Sequence, residues 1–232
     1  MDSNIKNPWY LLQSGTGSAT FNMALDEALL ASSPALGKPL LRFYGWTERA
    51  ASFGYFQKYA EVEQMTFLRP LVRRLTGGGL VPHDADWTYS LVFPPPDPWY
   101  ALKAVESYLR VHEWIQAVFT KLGIATELAA DCRKALPGQC FVGHEKFDVL
   151  WQGQKIAGAA QRRTRHGLLI QGSVQPTFGK ITRADWQESL CNVAQASFGV
   201  HWIELEPDAS LSQLTVELAR QKYSQPVYNK KR

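Results

Sequence analysis

The order of strands and helices predicted along the chain constrains its fold more than any other feature of the sequence. Apolar segments typical of strands occur in hairpin-like groups, and amphipathic helices separate these groups. A doubly wound parallel sheet needs a helix after almost every strand, and this regular alternation is missing here. The pattern therefore predicts an α+β fold, with a mixed β-sheet backed by helices.

The predicted elements follow from hydrophobic periodicity and from capping residues. Helices are predicted over residues 18–31, from Asp97 to Gly123, and over residues 183–197 and 210–222. Strands are predicted at Leu40–Trp46, Ala51–Phe56, Leu71–Arg74, Thr88–Phe93, Phe147–Trp151, Lys155–Gln161, Leu168–Val174 and Val200–Glu204. In the first helix, Phe21, Leu25 and Leu29 recur at i, i+4 and i+8, which predicts that they form its buried face.

Composition excludes several classes of protein. Hydrophobic residues make up 45% and charged residues 20% of the 232 positions, which rules out a disordered or collagen-like chain. No apolar run approaches the about 18 residues that a membrane helix needs. The segment Met1–Pro8 also lacks the apolar core of a secretory signal. We therefore expect neither a membrane span nor export.

Cysteine usage and net charge indicate the cellular compartment and the kind of partner. Cys132, Cys140 and Cys191 are the three cysteines, and none belongs to a Cys-x-x-Cys motif. This predicts a reduced, cytoplasmic protein without a disulfide framework or a structural zinc site. The net charge of +4 is too small and too scattered to indicate a nucleic acid partner, but it suits an acidic one.

The densest motif is Arg73-Arg74-Leu75-Thr76-Gly77-Gly78-Gly79, which follows a predicted strand. Three consecutive glycines let the backbone approach a ligand closely, and the two arginines suit a phosphate or pyrophosphate. The same pattern is typical of a tight turn with solvated arginines, so both interpretations stay open. A Walker loop is excluded because no Gly-Lys-Ser/Thr follows. His83-Asp84 lacks further ligands at metal-binding spacing, so we predict no metal site.

Cys140 and Lys155 form a second candidate site. Cys140 lies in a loop before a predicted strand, and a turn places Lys155 where that loop is able to fold over it. Both residues also have ordinary structural interpretations, a small buried hydrophobe and a solvated strand end. Acidifying the thiol alone gains only about threefold in reactivity at pH 7, whereas placing it against an acyl carbonyl beside the Lys155 ammonium gains far more. Ser173 is a candidate for a further hydroxyl donor.

Four motifs in register resemble one known family. They are Phe43-Tyr44-Gly45-Trp46, Gly54-Tyr55-Phe56-Gln57, Arg73-Arg74-x-Thr-Gly-Gly-Gly-x-Val-x-His83-Asp84 and Lys155-Ile-Ala-Gly158-Ala-Ala-Gln161-Arg162. In this order they resemble the lipoate–protein ligases and octanoyltransferases, whose superfamily includes the biotin protein ligases. The resemblance runs from about Trp9 to Asn229. It implies a single catalytic domain over residues 1–232, with a mixed β-sheet, a smaller second sheet, flanking helices and an acyl pocket between them.

The resemblance also implies roles for individual residues. Cys140 is expected to be the nucleophile, and Lys155 is expected to contact the reacting carbonyl. The residues expected to bind the substrate are Arg73, Arg74, Thr76, Gly77, Gly78, Gly79, His83, Gly158, Ala159, Ala160 and Ser173. No metal ligand is implied.

Within the family, Cys140-Phe141, eight residues before Asp148, resembles the octanoyltransferases that use a cysteine nucleophile. Ligases of this family commonly carry an accessory C-terminal domain or use a separate small partner subunit, and we expect no such domain here because the sequence ends soon after Asn229. This branch implies that octanoyl passes from acyl carrier protein through a cysteine thioester to a lysine of a lipoyl domain or of the glycine-cleavage H protein. It implies a monomer that needs no cofactor.

Two departures keep other branches open. Gln171 stands where both octanoyltransferases and ligases usually have His, and Gly79-Leu80 is more similar to the ligases or to lipoyl-domain amidotransferases. A ligase would need ATP and Mg²⁺, with Arg73, Arg74 and the glycine loop on phosphates. A non-enzymatic acyl sensor is favoured least, because no helix-turn-helix pattern is present.

Overall fold

A computed structural model describes residues 7–134, 143–177, 179 and 181–232. The strands in these residues, numbered along the chain, are β1 (Asn7–Gly17), β2 (Leu40–Trp46), β3 (Ala50–Phe53), β4 (Leu71–Arg73), β5 (Val81–His83), β6 (Trp87–Phe93), β7 (Glu127–Leu128), β8 (Arg133–Lys134), β9 (Gly143–His144), β10 (Val149–Trp151), β11 (Gln154–Thr164), β12 (Gly167–Val174) and β13 (Val200–Glu204). The helices are α1 (Ala19–Leu36), α2 (Tyr59–Met65), α3 (Pro98–Ala101), α4 (Ala104–Lys121), α5 (Arg183–Phe198), α6 (Ala209–Leu218) and α7 (Pro226–Asn229), with a π-helical turn at Ala219–Tyr223.

The large sheet is mixed, in the strand order β13-β1-β2-β6-β12-β11-β10-β7. Strand β1 runs parallel to both of its neighbours, β13 and β2, and the remaining neighbours are antiparallel. A second sheet has the order β4-β3-β5, and β8 pairs with β9. The predicted α+β fold, with a mixed sheet and a smaller second sheet, is confirmed. That residues 1–232 form a single catalytic domain stays a prediction.

Helices cover both faces of the large sheet, and side-chain alternation along the strands separates the two cores. On β2, Leu41 and Phe43 pack in the core that includes α4 and α5, whereas Leu40 packs with α1 on the opposite face. On β6, Leu91 and Val92 are divided in the same way. Because both faces are buried, these strands are mostly apolar and aromatic in the sequence, interrupted by Arg42 on β2 and by Thr88 and Ser90 on β6, and this made them predictable. No helix among the described residues has the length and hydropathy required to cross a bilayer.

The first predicted helix differs from α1 in length and in its buried face. The helix continues to Leu36, and Phe21 is 37% exposed, so its predicted place in the core is wrong. Asn22 and Asp26 are buried instead. Periodicity of apolar residues does not detect these positions, because their burial depends on partners elsewhere in the fold.

Two further elements differ from the sequence-based expectation. The helix predicted from Asp97 to Gly123 is interrupted, since α3 ends at Ala101 and α4 begins at Ala104. The Asp97 carboxylate caps only the short helix, accepting a hydrogen bond from the Trp99 amide. Strand β1 was not predicted, although its Trp9 ring is 1% exposed and lies within the larger core.

A buried ion pair joins α1 to β2. Arg42 Nη1 lies 2.7 Å from Asp26 Oδ1, and both side chains are at most 1% exposed. Asp26 also accepts hydrogen bonds from Ser90 Oγ at 2.7 Å, Gln171 Nε2 at 2.7 Å and the Tyr44 hydroxyl at 3.1 Å. Four donors fill the acceptor sites of the carboxylate, which offsets the cost of removing it from water.

We expect Arg42→Ala to lower the free energy of unfolding by about 3–5 kcal/mol, because it leaves the Asp26 carboxylate buried without its cation. Equilibrium unfolding in urea measures the change. The matched control is Arg49→Ala, which removes a pair with Asp84 whose side chains are 76% and 36% exposed. That variant should lose less than about 1 kcal/mol. Similar losses in the two variants would contradict the role given to Asp26.

Candidate functional site

A central pocket opens between the large sheet and the second sheet. It holds about 450 Å³ of space, part of it open to solvent. Its walls are Met23, Tyr44, Ser52, Arg74, Val81, His83, Thr88, Lys155, Gly158, Ala159, Ala160, Gln171, Gly172 and Ser173. Seven residues predicted from the sequence are therefore brought together: Arg74, His83, Lys155, Gly158, Ala159, Ala160 and Ser173. Arg73 and the loop residues 76–79 lie outside this lining.

Lys155 is buried in the pocket wall and paired with a carboxylate. Its Nζ lies 2.8 Å from Asp148 Oδ2, and the two side chains are 7% and 0% exposed. Asp148 also accepts hydrogen bonds from the Tyr108 hydroxyl at 2.5 Å and from the Glu145 amide at 2.7 Å. The carboxylate offsets the cost of burying the ammonium, so the pair places a cation in the pocket wall.

Gly158 provides the space that this pair occupies. A Cβ at Gly158 would lie 2.6 Å from Lys155 Cε, 2.7 Å from Lys155 Nζ and 2.9 Å from Asp148 Oδ1. The lysine therefore lies directly across the glycine on β11, and an alanine there would force the ammonium away from its carboxylate. Gly158 acts on the site through Lys155, in addition to forming part of the wall.

His83 is held at both ring nitrogens. Nδ1 lies 2.9 Å from Asp86 Oδ2, Nε2 lies 2.8 Å from Ser52 Oγ, and the ring stacks on Trp46 with a centroid distance of 3.8 Å. A neutral ring that donates from Nδ1 to Asp86 and accepts from Ser52 at Nε2 satisfies both contacts. The sequence-based expectation placed His83 in the pocket, but Asp86 and Ser52 were not predicted.

Ser173 is joined to the same carboxylate. Its Oγ donates to Asp86 Oδ2 at 2.7 Å, and Thr88 Oγ1 also donates to this oxygen at 3.1 Å. The hydroxyl proton of Ser173 is thus directed to Asp86 in this structure, and its role as a hydroxyl donor to the substrate stays a prediction. Asp86 thus links His83 and Ser173, two predicted site residues 90 positions apart in the chain.

The glycine loop is folded around the guanidinium of Arg74. Arg74 Nη2 donates to the Gly77 carbonyl at 2.7 Å and to the Gly79 carbonyl at 2.7 Å, and Nη1 donates to Ser52 Oγ at 3.2 Å. Gly54 allows the loop to approach, since a Cβ there would lie 1.9 Å from the Gly78 carbonyl oxygen. Arg74 therefore shapes the loop and lines the pocket, while the glycine carbonyls point towards its guanidinium.

Arg73 does not reach the pocket, which corrects its predicted role as a substrate ligand. Its side chain is fully buried and donates to the carbonyls of Asn229 at 2.8 Å, Tyr55 at 2.8 Å and Gln57 at 2.6 Å. Successive residues on an extended strand point to opposite faces, so only one of two neighbouring arginines faces a given side. Here Arg74 faces the pocket and Arg73 faces the C-terminal segment.

Thr76 and Gln171 connect the glycine loop to the buried ion pair. Thr76 Oγ1 donates to Gln171 Oε1 at 2.7 Å, and Gln171 Nε2 donates to Asp26 Oδ2 at 2.7 Å. Thr76 therefore supports the loop from below, outside the pocket lining where the sequence-based expectation placed a ligand contact. An amide suits position 171, because it donates to one neighbour and accepts from the other.

The structure describes two of the three cysteines. Cys140, the predicted nucleophile, lies outside the described residues. Burial raises the pKa of Cys191 to about 12, so its thiolate is not accessible near neutral pH. Cys132 is exposed. The described residues include no cluster of His, Cys, Asp or Glu that could hold a metal ion.

His112 lies behind the Lys155–Asp148 pair, on α4. Its Nδ1 contacts the Tyr108 carbonyl at 2.8 Å, and its Nε2 has no hydrogen-bond partner among the described residues. Burial lowers the pKa of His112 to about 4, against a smaller opposing effect of Asp148. The ring is therefore neutral near pH 7.

The comparison with known families matches most of the chain. Residues 18–179 match the model of the lipoyl protein ligase A/B catalytic domain. Octanoyltransferase LipM of Kyrpidia tusciae is 37% identical over 178 residues, which cover 72% of this chain and 65% of that protein. Octanoyltransferase LipM of Bacillus subtilis is 33% identical over 182 residues, covering 73% and 66%. The chain thus spans about 65% of the length of these curated relatives.

Solved structures share the fold. A crystal structure of lipoate-protein ligase A bound with ATP superimposes with a TM-score of 0.79 at 21% identity, covering 97% of this chain and 98% of that one. A second match comes from a structural analysis of a bipartite lipoate protein ligase and its E2 lipoyl domain from Thermoplasma acidophilum. It has a TM-score of 0.74 at 22% identity and covers 97% of this chain and 96% of that one. At this level of identity the likeness concerns the fold alone.

We expect acid to destabilise the protein partly through His112. Its pKa rises from about 4 when folded to about 6.5 when unfolded, so protons bind the unfolded chain preferentially between these values. The unfolding free energy should therefore fall as pH drops through this window, by up to about 3 kcal/mol from this group.

Urea unfolding at pH 7.0 and pH 4.5 measures this effect in the wild type and in His112→Leu. The variant should lose less stability on acidification than the wild type, whatever its stability at pH 7. His201→Gln, at an exposed position on β13, is the control and should keep the wild-type pH dependence. Equal pH dependence in His112→Leu and wild type would rule out the assignment.

Proposed function

The chain belongs to the lipoyl protein ligase A/B catalytic domain family, and from this premise we propose that it is an octanoyltransferase of protein lipoylation. It takes octanoyl from acyl carrier protein and delivers it to a lysine of a lipoyl domain or of the glycine-cleavage H protein. The relatives named octanoyltransferase LipM support this reaction class. The observation that carries the proposal is the buried Lys155–Asp148 pair in the wall of the central pocket.

The proposed reaction consists of two acyl transfers. The Cys140 thiolate attacks the carbonyl of the donor thioester, the donor C–S bond breaks, and the carrier leaves as a thiolate that takes up a proton. The neutral amine of the acceptor lysine then attacks the Cys140 thioester. An amide forms, the Cys140 thiolate leaves, and the amine loses its proton. Each step passes through a tetrahedral oxyanion.

Lys155 is placed to stabilise that oxyanion. Its ammonium lies in the pocket wall, 2.8 Å from Asp148 Oδ2, and carries three N–H groups that are able to donate hydrogen bonds. Since the pair is fixed before substrate arrives, the donor needs no reorganisation at the moment when charge develops on the acyl oxygen. Removing one such donor in other enzymes costs about 10²–10³ in kcat.

The acyl chain would lie along the apolar part of the pocket, against Met23, Val81, Ala159 and Ala160. Each buried methylene contributes about 0.8 kcal/mol, so chain length is discriminated by how much of the chain fits. The Ser52–His83–Asp86 chain of hydrogen bonds fixes the polar wall beside it. Exclusion of water there protects the thioester from hydrolysis until the acceptor arrives.

An ATP-dependent ligase is the second candidate, and the arginines argue against it. That reading assigns Arg73 and Arg74 to phosphates, but Arg73 is buried against three backbone carbonyls and Arg74 holds the loop carbonyls of Gly77 and Gly79. Using either arginine for a nucleotide would require these contacts to break. We therefore propose a transfer without ATP, Mg²⁺ or another cofactor.

The proposal extends to the setting of the enzyme. We infer a cytoplasmic monomer in which residues 1–232 act as one catalytic domain. The partners are an acylated carrier protein and a lipoyl-type acceptor, and neither nucleic acid nor membrane takes part. The net charge of +4 is consistent with acidic protein partners.

Incubation with octanoyl–acyl carrier protein should add one octanoyl group to the protein, detectable by intact mass. Cys140→Ser should give no thioester adduct and should lose transfer to the acceptor by at least about 10³-fold, because an unactivated hydroxyl is a far weaker nucleophile than a thiolate. Cys132→Ser, which changes an exposed cysteine, is the control and should form the adduct. An adduct that persists in Cys140→Ser would disprove the cysteine mechanism. ATP-dependent attachment of free lipoate by Cys140→Ala would establish the ligase.

Lys155→Ala should lower kcat by about 10²–10³-fold through loss of the oxyanion donor. Because this change leaves Asp148 buried without its cation, Lys155→Met combined with Asp148→Asn serves as the second variant, with both charges removed. We expect the double variant to fold, by circular dichroism and urea unfolding, and to be equally inactive. Lys121→Ala, on the outer end of α4, should behave as wild type. A folded double variant that keeps more than a tenth of the activity would remove Lys155 from the mechanism.

A further inference from the structure

A cluster of cations and aromatic rings, hereafter the basic aromatic patch, lies beside the glycine loop. It consists of Tyr55, Phe56, Arg162, Lys231 and Arg232. Lys231 Nζ lies 3.8 Å from the centre of the Tyr55 ring, and the guanidiniums of Arg162 and Arg232 lie 5.4 and 5.6 Å from it. Arg232 is also 5.2 Å from the ring of Phe56, which is 65% exposed.

The buried Arg73 holds this patch in place. Arg73 donates to the Asn229 carbonyl and, through its backbone amide, to Asn229 Oδ1 at 2.8 Å. Lys231 follows two residues after Asn229, and a backbone oxygen of Arg232 accepts a hydrogen bond from the Tyr59 amide at 2.9 Å. Hydrogen bonds therefore hold the C-terminal segment at Asn229 and at Arg232, and this fixes the position of the cations between and at these points.

The side chains of the three cations, Arg162, Lys231 and Arg232, are not paired with acidic side chains in the part of the chain that the structure describes. The carboxylates of the neighbouring α2 are paired elsewhere, Glu61 with Lys58 and Glu63 with Arg69. Arg162 Nε is buried and, among the described residues, lacks a hydrogen-bond partner. Such a group indicates an anion supplied from outside.

The patch lies close to the pocket. Arg162 is on the same face of β11 as Gly158 and Ala160, since side chains alternate along a strand, and it follows Ala160 by about 7 Å. On the other side, the Tyr55 amide donates to the Thr76 carbonyl of the glycine loop at 2.9 Å. A short extended arm on a molecule bound at the patch would therefore reach the entrance of the central pocket.

We propose that the basic aromatic patch is the docking surface for the acyl donor, an acidic carrier protein whose acyl group hangs on a phosphorylated prosthetic arm. This inference rests on the proposed function. Carboxylates of the carrier and the phosphate of its arm supply the anions that Arg162, Lys231 and Arg232 lack, and the exposed ring of Phe56 provides an apolar contact beside Arg232.

The test separates the two half-reactions. Formation of the octanoyl enzyme is followed by intact mass with two donors, octanoyl carrier protein and the octanoyl thioester of N-acetylcysteamine, which has neither protein nor phosphate. In Lys231→Glu and Arg162→Glu, the ratio of the carrier rate to the small-donor rate should fall at least tenfold. Lys38→Glu is the matched control, because Lys38 also lies over a tyrosine, 5.3 Å from the Tyr10 ring, outside the patch. It should keep the wild-type ratio.

Binding provides a readout that does not depend on chemistry. Fluorescence anisotropy with labelled, unacylated carrier protein should give a Kd that weakens from 50 to 300 mM salt and weakens at least tenfold in Lys231→Glu. Lys231→Gln, a milder change, should weaken binding severalfold. Unchanged carrier binding and an unchanged rate ratio in the folded variants would overturn the docking surface, as would a defect confined to transfer from the octanoyl enzyme to the acceptor. If wild-type enzyme binds the carrier but takes octanoyl from neither donor, the proposed function fails while the docking surface stands.

Discussion

The buried carboxylate of Asp26 is the contact on which the rest of the structure depends. Its four donors come from β2, β6 and β12, and α1 supplies the carboxylate itself, so a single group joins four elements. An unpaired buried charge is strongly destabilising, so the donors from these strands hold the four elements together. Through Gln171 and Thr76 the same chain of hydrogen bonds reaches the glycine loop. The position of the loop over the pocket is thus tied to the order of the strands beneath it.

The pocket repeats this principle with two further buried carboxylates. Asp86 accepts hydrogen bonds from the ring of His83 and from the hydroxyls of Ser173 and Thr88. Asp148 pairs with Lys155 and accepts hydrogen bonds from the Tyr108 hydroxyl and a backbone amide. Neither acid lines the cavity itself. Each one accepts hydrogen bonds from side chains that do line the cavity, and so fixes their positions. The polar side chains of the pocket wall are therefore held in position before a substrate enters. Such preorganisation is the property that acyl transfer requires of a site.

These buried acids also explain how far the sequence predicts the site. Apolar runs buried on both faces identified most central strands, and the motifs around Arg74, His83, Lys155 and Ser173 identified residues that meet in the pocket. Asp86 and Asp148 were not predicted, because a lone acid beside a strand has the same appearance in the sequence whether solvated or buried. Arg73 was misassigned for a related reason: its deciding partner, Asn229, lies 156 residues away. Local pattern fixes which elements form, whereas long-range polar contacts decide what each charged residue does.

The environment of Asp148 gives the proposed chemistry its selectivity for the transition state. In the resting site the ammonium of Lys155 is matched by one carboxylate, so the pair is neutral and attracts a neutral thioester carbonyl only weakly. When negative charge develops on the acyl oxygen, the ammonium of Lys155 is attracted to it far more strongly. Asp148 does not become unpaired as the lysine shares its charge, because Tyr108 and the Glu145 amide continue to donate to it. The site therefore binds the oxyanion more tightly than the substrate, which is the difference that lowers a barrier.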